Sequence, residues 1–344
     1  MVAEKSRRIA CLFLVLMVLL QLSVLLRRRY GDCDGIRRHF EVAKYGNYTV
    51  FPNVVKSSVE IDTVVLMLHT SFPFPAPAFR AMLTAWNSRV SIAVYLQVVE
   101  DLAMLYHLLE PMADEPFFRN ISLHAYYASV HPPPGLLYPA NTGRNLARKF
   151  APRHRYFMTA DMDQLYSADA ERTLYALAEA ENLDEVDALL VVRRFEHQEG
   201  TSAPSNMAEL AGRLNRDVFE FHKKSFAVGH VIPGIGRWLD NVGPPKATPL
   251  TYKNWHWEPM FAAPARIPYH NEDVLYGHKD HASLCWLLCA TKYKFLLADG
   301  VFSSHPGIRE PGGKKRQIPK IAITNGENYR NQLKKKYGAK NRCL

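Results

Sequence analysis

Cysteine is scarce. The chain holds five in 344 residues, and one of them, Cys11, lies inside an N-terminal apolar run. There is no zinc-finger spacing, no RNA-binding signature and no internal repeat. These absences remove zinc modules, RNA-recognition modules and solenoids from consideration. Cys285 and Cys289 fall one helical turn apart and read as a buried face, while a Cys33–Cys343 bond stays open. A small-x-small cleavage site is also missing after the uncharged run Ile9–Leu26. About 18 residues of helix just span a ~30 Å hydrocarbon core. The run therefore reads as an uncleaved membrane anchor, with a signal peptide as the rival.

Charge of one sign is in short supply. Lys and Arg number 43 against 33 Asp and Glu, a net +10 that favours anionic partners. Part of the excess sits in Lys314-Lys315-Arg316 and Lys334-Lys335-Lys336, interleaved with Gly and Pro and not with stacking aromatics. That reads as a solvated tail, so no nucleic-acid partner is expected. Lys5, Arg7 and Arg8 precede the anchor and Arg27, Arg28 and Arg29 follow it, so the positive-inside rule does not fix its orientation. The sequons Asn47-Tyr48-Thr49 and Asn120-Ile121-Ser122 would carry glycans if the body is lumenal. The expected division is a tail over 1–8, an anchor over 9–26, a polar stem over 27–58, a catalytic body over 59–310 and a basic extension over 311–344.

Apolar runs then alternate with helical spacing. Strands are expected at 63–68, 90–97 and 121–127, at 156–158 leading into an acidic triplet, and at 186–193, 256–262 and 293–297. Helices are expected at 78–86, 100–109, 138–150, 168–181, 205–223 (with Ser205 as N-cap), 280–290 and, weakly, 327–336. The Gly- and Pro-rich stretch 229–249 reads as a long active-site loop. Such alternation predicts a mainly parallel α/β sheet with its ligand at the carboxyl ends of the strands.

The acidic triplet is Asp161-Met162-Asp163, directly after Tyr156-Phe157-Met158-Thr159-Ala160. Alternate residues of an extended chain face the same way, so both carboxylates can converge on one point. Two acids at the end of a buried strand call for a cation, and a divalent metal there can hold a diphosphate. Taken alone, the triplet also fits a solvated loop.

The motifs become specific in combination. TVVLMLHT and VSIAVYL with Trp86 between them, YPANTGRNLA, ADMD, Gly229-His230 with Trp238, Trp257-Glu258-Pro259, Tyr276-Gly277 and FSSHP follow one another in order. In this the body, over about Thr63 to Arg309, resembles glycosyltransferase family 49, which includes the beta-1,4-glucuronyltransferase of the dystroglycan glycan and the second catalytic domain of LARGE-type enzymes. The resemblance implies a GT-A fold, a single-pass type II Golgi membrane protein with a lumenal body, and inverting transfer from a UDP-sugar donor to a glycan acceptor.

It further implies a metal held by Asp161, Asp163 and His305, a set that suits Mn²⁺ because of the imidazole nitrogen. His69, Thr70, Asn141, Arg144, Asn145, Gly229 and His230 are the candidate donor-binding residues, alongside the two aspartates. An inverting base must come from Glu258, Asp273 or Asp280, with Glu258 first because it stands in the family's x-Glu-Pro motif. His278 and His281 read as a helix start and not as a metal pair. Asn271-Glu272-Asp273 and the HKDHASL stretch depart from the family and mark specificity positions. Glucuronic acid is the expected sugar, N-acetylglucosamine or xylose the alternatives, and a turnover-deficient glycan-binding protein the reading from another class.

Overall fold

The computed structural model describes residues 41–129, 138–241, 243–312 and 317–344. The expected anchor and Cys33 lie outside them, as does the stretch 131–135, whose His-Pro-Pro-Pro-Gly sequence reads as a loop. Among the described residues no helix is long and apolar enough to cross a membrane.

Twelve strands form one sheet: β1 (Ala43–Tyr45), β2 (Tyr48–Val55), β3 (Val64–Ser71), β4 (Val90–Tyr95), β5 (Ile121–Ala128), β6 (Tyr156–Thr159), β7 (Leu165–Tyr166), β8 (Ala188–His197), β9 (Val218–Glu220), β10 (Ala247–Leu250), β11 (Met260–Pro264) and β12 (Lys294–Pro306). The path is β1-β2-β5-β4-β3-β6-β11-β8-β12-β10, with β7 on β12 and β9 on β8. β5, β4, β3 and β6 pair in parallel. β11 then enters antiparallel to both β6 and β8, and β8 and β12 are parallel. Six central strands thus run one way, and their carboxyl ends share one edge with the amino end of β11.

The apolar runs of β3 and β8 follow from burial on both faces. Val64, Leu66 and Leu68 pack into one core with Phe79, Met82 and Leu83 of helix Ala76–Trp86. Val65 and Met67 face the other core, with Leu146 of helix Ala140–Phe150 and Cys285 and Leu288 of helix Ala282–Ala290. This alternation is the two-residue period of a strand.

Several expectations change. Residues 43–55, read as stem, form the β1–β2 hairpin and extend the sheet by pairing with β5. The expected helix 205–223 stops at Arg213, because Asn215 takes a left-handed backbone (φ 62°) and the chain turns into β9. Its cap is Asn206, whose side chain accepts from Glu209 N, not Ser205. The 229–249 stretch is no single loop: Gly229 and His230 close helix Lys223–His230, and helix Ile235–Leu239 and β10 follow. Trp257, Glu258 and Pro259 precede β11 and do not lie in a strand. His305 belongs to β12, which continues past a bulge between Leu297 and Phe302.

The C-terminal region is part of the body. Helix Lys320–Tyr337 packs on helix Ala282–Ala290, and a Cys289–Cys343 disulfide fixes the two. Cys343 therefore pairs with Cys289 and not with Cys33, while Cys289 stays half-buried against the core that holds the free Cys285. Closing a 54-residue separation contributes about 4 kcal/mol in the chain-entropy account. Cys343→Ser should lower the melting temperature by several degrees, and dithiothreitol should bring the unaltered protein down to the same value. Calorimetry with and without reductant checks this.

Candidate active site

The co-directional strand ends open onto a cleft of about 710 Å³. β3 brings His69 and Thr70 to it, β6 brings Asp161 and Asp163, β8 brings Arg194, and the segment before β11 brings Glu258. The β11 register, Met260 opposite Val192, places Glu258 at the same edge as Arg194.

Asp161 is the electrostatic centre. Its side chain keeps 48% of its surface exposed although it sits at the cleft floor. Arg194 Nη2 lies 3.4 Å away, and Arg144 Nη2 and His69 Nε2 each 4.0 Å away. Burial would raise its pKa, but Arg194 and Arg144 overcome that and hold the carboxyl down at about 2. His69 is lowered as well, to about 3, by burial and then by Arg144, so it is neutral. Its Nδ1 sits 2.7 Å from Tyr138 Oη, and its buried Nε2 has no hydrogen-bond partner among the described residues. Thr159 Oγ1 is orphaned in the same way, so the cleft floor keeps polar atoms for a ligand.

Asp163 points elsewhere. Its Oδ2 is 3.0 Å from His305 Nε2. Burial alone would lower the imidazole pKa, but the bond to Asp163 raises it. β6 and β12 therefore bring together two of the three expected metal ligands, while Asp161 is turned to the guanidiniums. Among the described residues no three His, Cys, Asp or Glu side chains stand gathered around one point.

Asn141, Arg144 and Asn145 of the Ala140–Phe150 helix share one face but differ in what they reach. Arg144 is buried, with Nη1 2.7 Å from Asp280 Oδ2 and 2.7 Å from Asn141 Oδ1, and it reaches the cleft. Asn141 and Asn145 do not. Asn141 Nδ2 donates to the carbonyls of Asn271, Val274 and Asp280. Asn145 Nδ2 donates to His270 O and Glu272 Oε1, and its Oδ1 accepts from His270 N. Both amides hold the 270–280 segment and have nothing left for a nucleotide.

The base candidates separate as well. Asp273 is exposed and lies off the cleft. Asp280 lines the cleft but is committed to Arg144 and to Gly277 N. Glu258 is raised above its ordinary 4.5 by burial, partly offset by Lys279, whose Nζ is 2.8 Å from Oε1. That combination leaves Glu258 as the carboxylate suited to accept a proton. Gly229 and His230 flank it from outside: Gly229 O accepts from Glu258 N, and neither residue lines the cleft.

Sequence reasoning passed over Arg194, Lys279 and Tyr138. Arg194 had a signal, two arginines inside the apolar strand LLVVRRF. Alternation sends Arg193 to the carbonyls of Ile232 and Pro233 and Arg194 to Asp161. Lys279 is marked only as part of the departing HKDHASL stretch; its approach to Glu258 comes with a left-handed backbone (φ 60°) that the sequence does not signal.

A sheet whose central parallel order is broken once by an antiparallel strand, with an acid pair at its carboxyl edge, is of the GT-A type. Residues 133–341 match the family described as glycosyl-transferase for dystroglycan, and the protein belongs to that family of glycosyltransferases. No curated protein sequence matches the chain. Solved structures similar to it include GalNAc-T7 with UDP, GalNAc and Mn²⁺, at 8% identity and a TM-score of 0.48, over 80% of this chain and 50% of that one. Another is S. aureus TarS, at 9% identity and 0.39, over 70% and 36%. A third is S. aureus TarS 1-349 in complex with UDP-GlcNAc, at 8% and 0.39, over 79% and 66%. This chain thus spans half the length of the GalNAc-T7 chain and about a third of the longer TarS chain.

Removing one partner of the Arg144–Asp280 pair leaves a buried charge uncompensated. Asp280→Asn should destabilise the protein by about 3–5 kcal/mol in denaturant titration. A neutral effect on stability would remove Asp280 from its positioning role.

Proposed function

We propose that this glycosyltransferase is an inverting enzyme that moves glucuronic acid from a UDP-sugar to a glycan acceptor with the help of Mn²⁺. The observation that carries the reading is the meeting of Asp163 and His305 at 3.0 Å, close in the chain to an Asp161 flanked by Arg144 and Arg194. A 3.0 Å spacing suits a hydrogen bond, and it also leaves the carboxylate and the imidazole close enough to share one divalent ion. The carboxylate and imidazole set fits Mn²⁺ over Mg²⁺.

Asp163 and His305 would hold the ion, with Asp161 completing the set. Bound there, the metal would neutralise charge gathering on the leaving diphosphate. Arg144 and Arg194 add fixed positive charge beside it, already oriented by Asp280 and by the Phe221 ring 3.8 Å from the Arg194 guanidinium. His69 and Tyr138 give the nucleoside a stacked, neutral wall with a free imidazole nitrogen. Glu258, across the cleft, takes the proton of the acceptor hydroxyl, and burial keeps its pKa raised for that task.

The body is proposed to be lumenal, behind a Golgi anchor at 9–26. A Cys289–Cys343 bond suits an oxidising compartment, and Asn47 is exposed at the β1–β2 turn, where a glycan would fit. Glycosidase treatment of protein expressed in animal cells should shift its mobility, and Asn47→Gln should remove most of the shift. A body digested by protease in sealed microsomes would rule out this topology.

Activity supplies the second test. Asp163→Asn and His305→Ala should each lower transfer by about 10²-fold, in the range of losing a preorganised electrostatic group. His278→Ala, off the site, should leave it intact. Glu258→Gln should cost about 10²–10⁴-fold on the scale of general-base loss. The unaltered enzyme should lose activity on the acid side around a midpoint above 4.5, since the base works only when deprotonated. Undiminished turnover in EDTA would defeat the metal-dependent reading.

A further inference from the structure

On the far side of Glu258 from the cleft floor, the chain builds a second surface. Lys279 Nζ, 2.8 Å from Glu258 Oε1, also sits 5.0 Å from the centre of the Phe226 ring and 3.3 Å from His256 O. Phe226 is 36% exposed, a large value for an aromatic beside a buried ion pair. Its ring meets His230 and His256 edge-on, at 5.8 and 5.9 Å.

The backbone is arranged to hold that ring. Phe226 departs from helical geometry inside helix Lys223–His230 (φ −152°, ψ 55°). Gly229 makes the arrangement possible, since a Cβ there would lie 2.3 Å from Phe226 Cε1 and 3.3 Å from His256 O. The missing side chain of Gly229 is the seat of the Phe226 ring. The same glycine's carbonyl accepts from Glu258 N, so the ring and the proposed base share one support.

The kink at Phe226 thus presents an open aromatic face directly beside Lys279, the partner of Glu258. A pyranose ring offers an apolar C–H face to an aromatic and hydroxyls at its edge. Sitting on Phe226, it would have those hydroxyls beside Lys279 and Glu258. We propose that Phe226, seated on Gly229, is the platform for the acceptor sugar, a pyranoside whose reactive hydroxyl is delivered to Glu258. The inference rests on the transferase reading above and assigns Gly229 and His230 to the acceptor side and not to the donor.

The test uses the full chain in detergent, with two readouts. One is UDP binding with Mn²⁺ by calorimetry. The other is binding to an immobilised panel of glycans. Phe226→Ala should weaken binding to the glycans that the unaltered protein retains by about ten-fold, the scale of one lost stacking contact, while UDP affinity holds. Phe226→Trp should retain glycan binding. Gly229→Ala, provided its melting curve is unchanged, should act like Phe226→Ala because it unseats the ring. Val228→Ala, at an exposed neighbour, should do nothing. Unchanged glycan binding in Phe226→Ala overturns the platform, as does a chain that binds UDP but no glycan. Loss of glycan binding in Phe226→Ala, in a protein that never binds UDP, would instead defeat the donor reading and leave the platform standing.

Discussion

The Arg144–Asp280 ion pair is the contact on which the site depends. Both side chains are largely buried, so removing either would leave the other's charge without compensation away from water. Arg144 comes from the sheet-covering helix Ala140–Phe150, and Asp280 from the irregular segment before helix Ala282–Ala290. Their union fixes that segment against the sheet edge. One residue earlier Lys279 reaches Glu258, and one residue later His281 Nε2 donates to Pro259 O. Three successive side chains thus tie Arg144, Glu258 and the turn before β11 to one segment.

The helix that carries Arg144 reinforces this. Asn141, Asn145 and Arg148 fall on one face, three to four residues apart. They bind the carbonyls of Asn271, Val274, Asp280, His270, Pro268 and Ile267. A segment without regular structure has its carbonyl acceptors met by side chains and not by a ladder, as buried backbone requires. The polar stripe of the helix is therefore a clamp, and only Arg144 also faces the cleft.

What could be read from the sequence tracks how local the cause is. β3, β4, β5 and β8 were legible because burial on both faces writes a continuous apolar run. Asp161 and Asp163 were legible as an acid pair after an apolar strand, but not in their geometry: both lie past the end of β6, where strand alternation no longer applies, and they face different partners. The hairpin 43–55 was hidden, since its strands include polar Lys44, Asn53 and a Pro. Its place in the sheet is decided by β5, about 70 residues further on. The roles of Asn141 and Asn145 were misassigned for the same reason: their residue types fit a nucleotide, and only the packed 270–280 segment shows that they are spent. Asp280 was visible as a carboxylate, but its partner lies 136 residues away.

The position of β11 has a consequence for biosynthesis. During synthesis the amino-terminal half can assemble β2, β5, β4, β3 and β6 from contiguous chain, but β6 then ends in an unpaired edge. The strand that covers it, β11, leaves the ribosome roughly a hundred residues later, after β8 has also emerged without its neighbour. For that interval, many seconds at ordinary elongation rates, β6 carries an open apolar edge and β8 has neither β11 nor β12 beside it. Chaperones of the compartment in which it folds would meet the chain at this stage, and substitutions within Met260–Pro264 would act on yield before they act on the finished molecule.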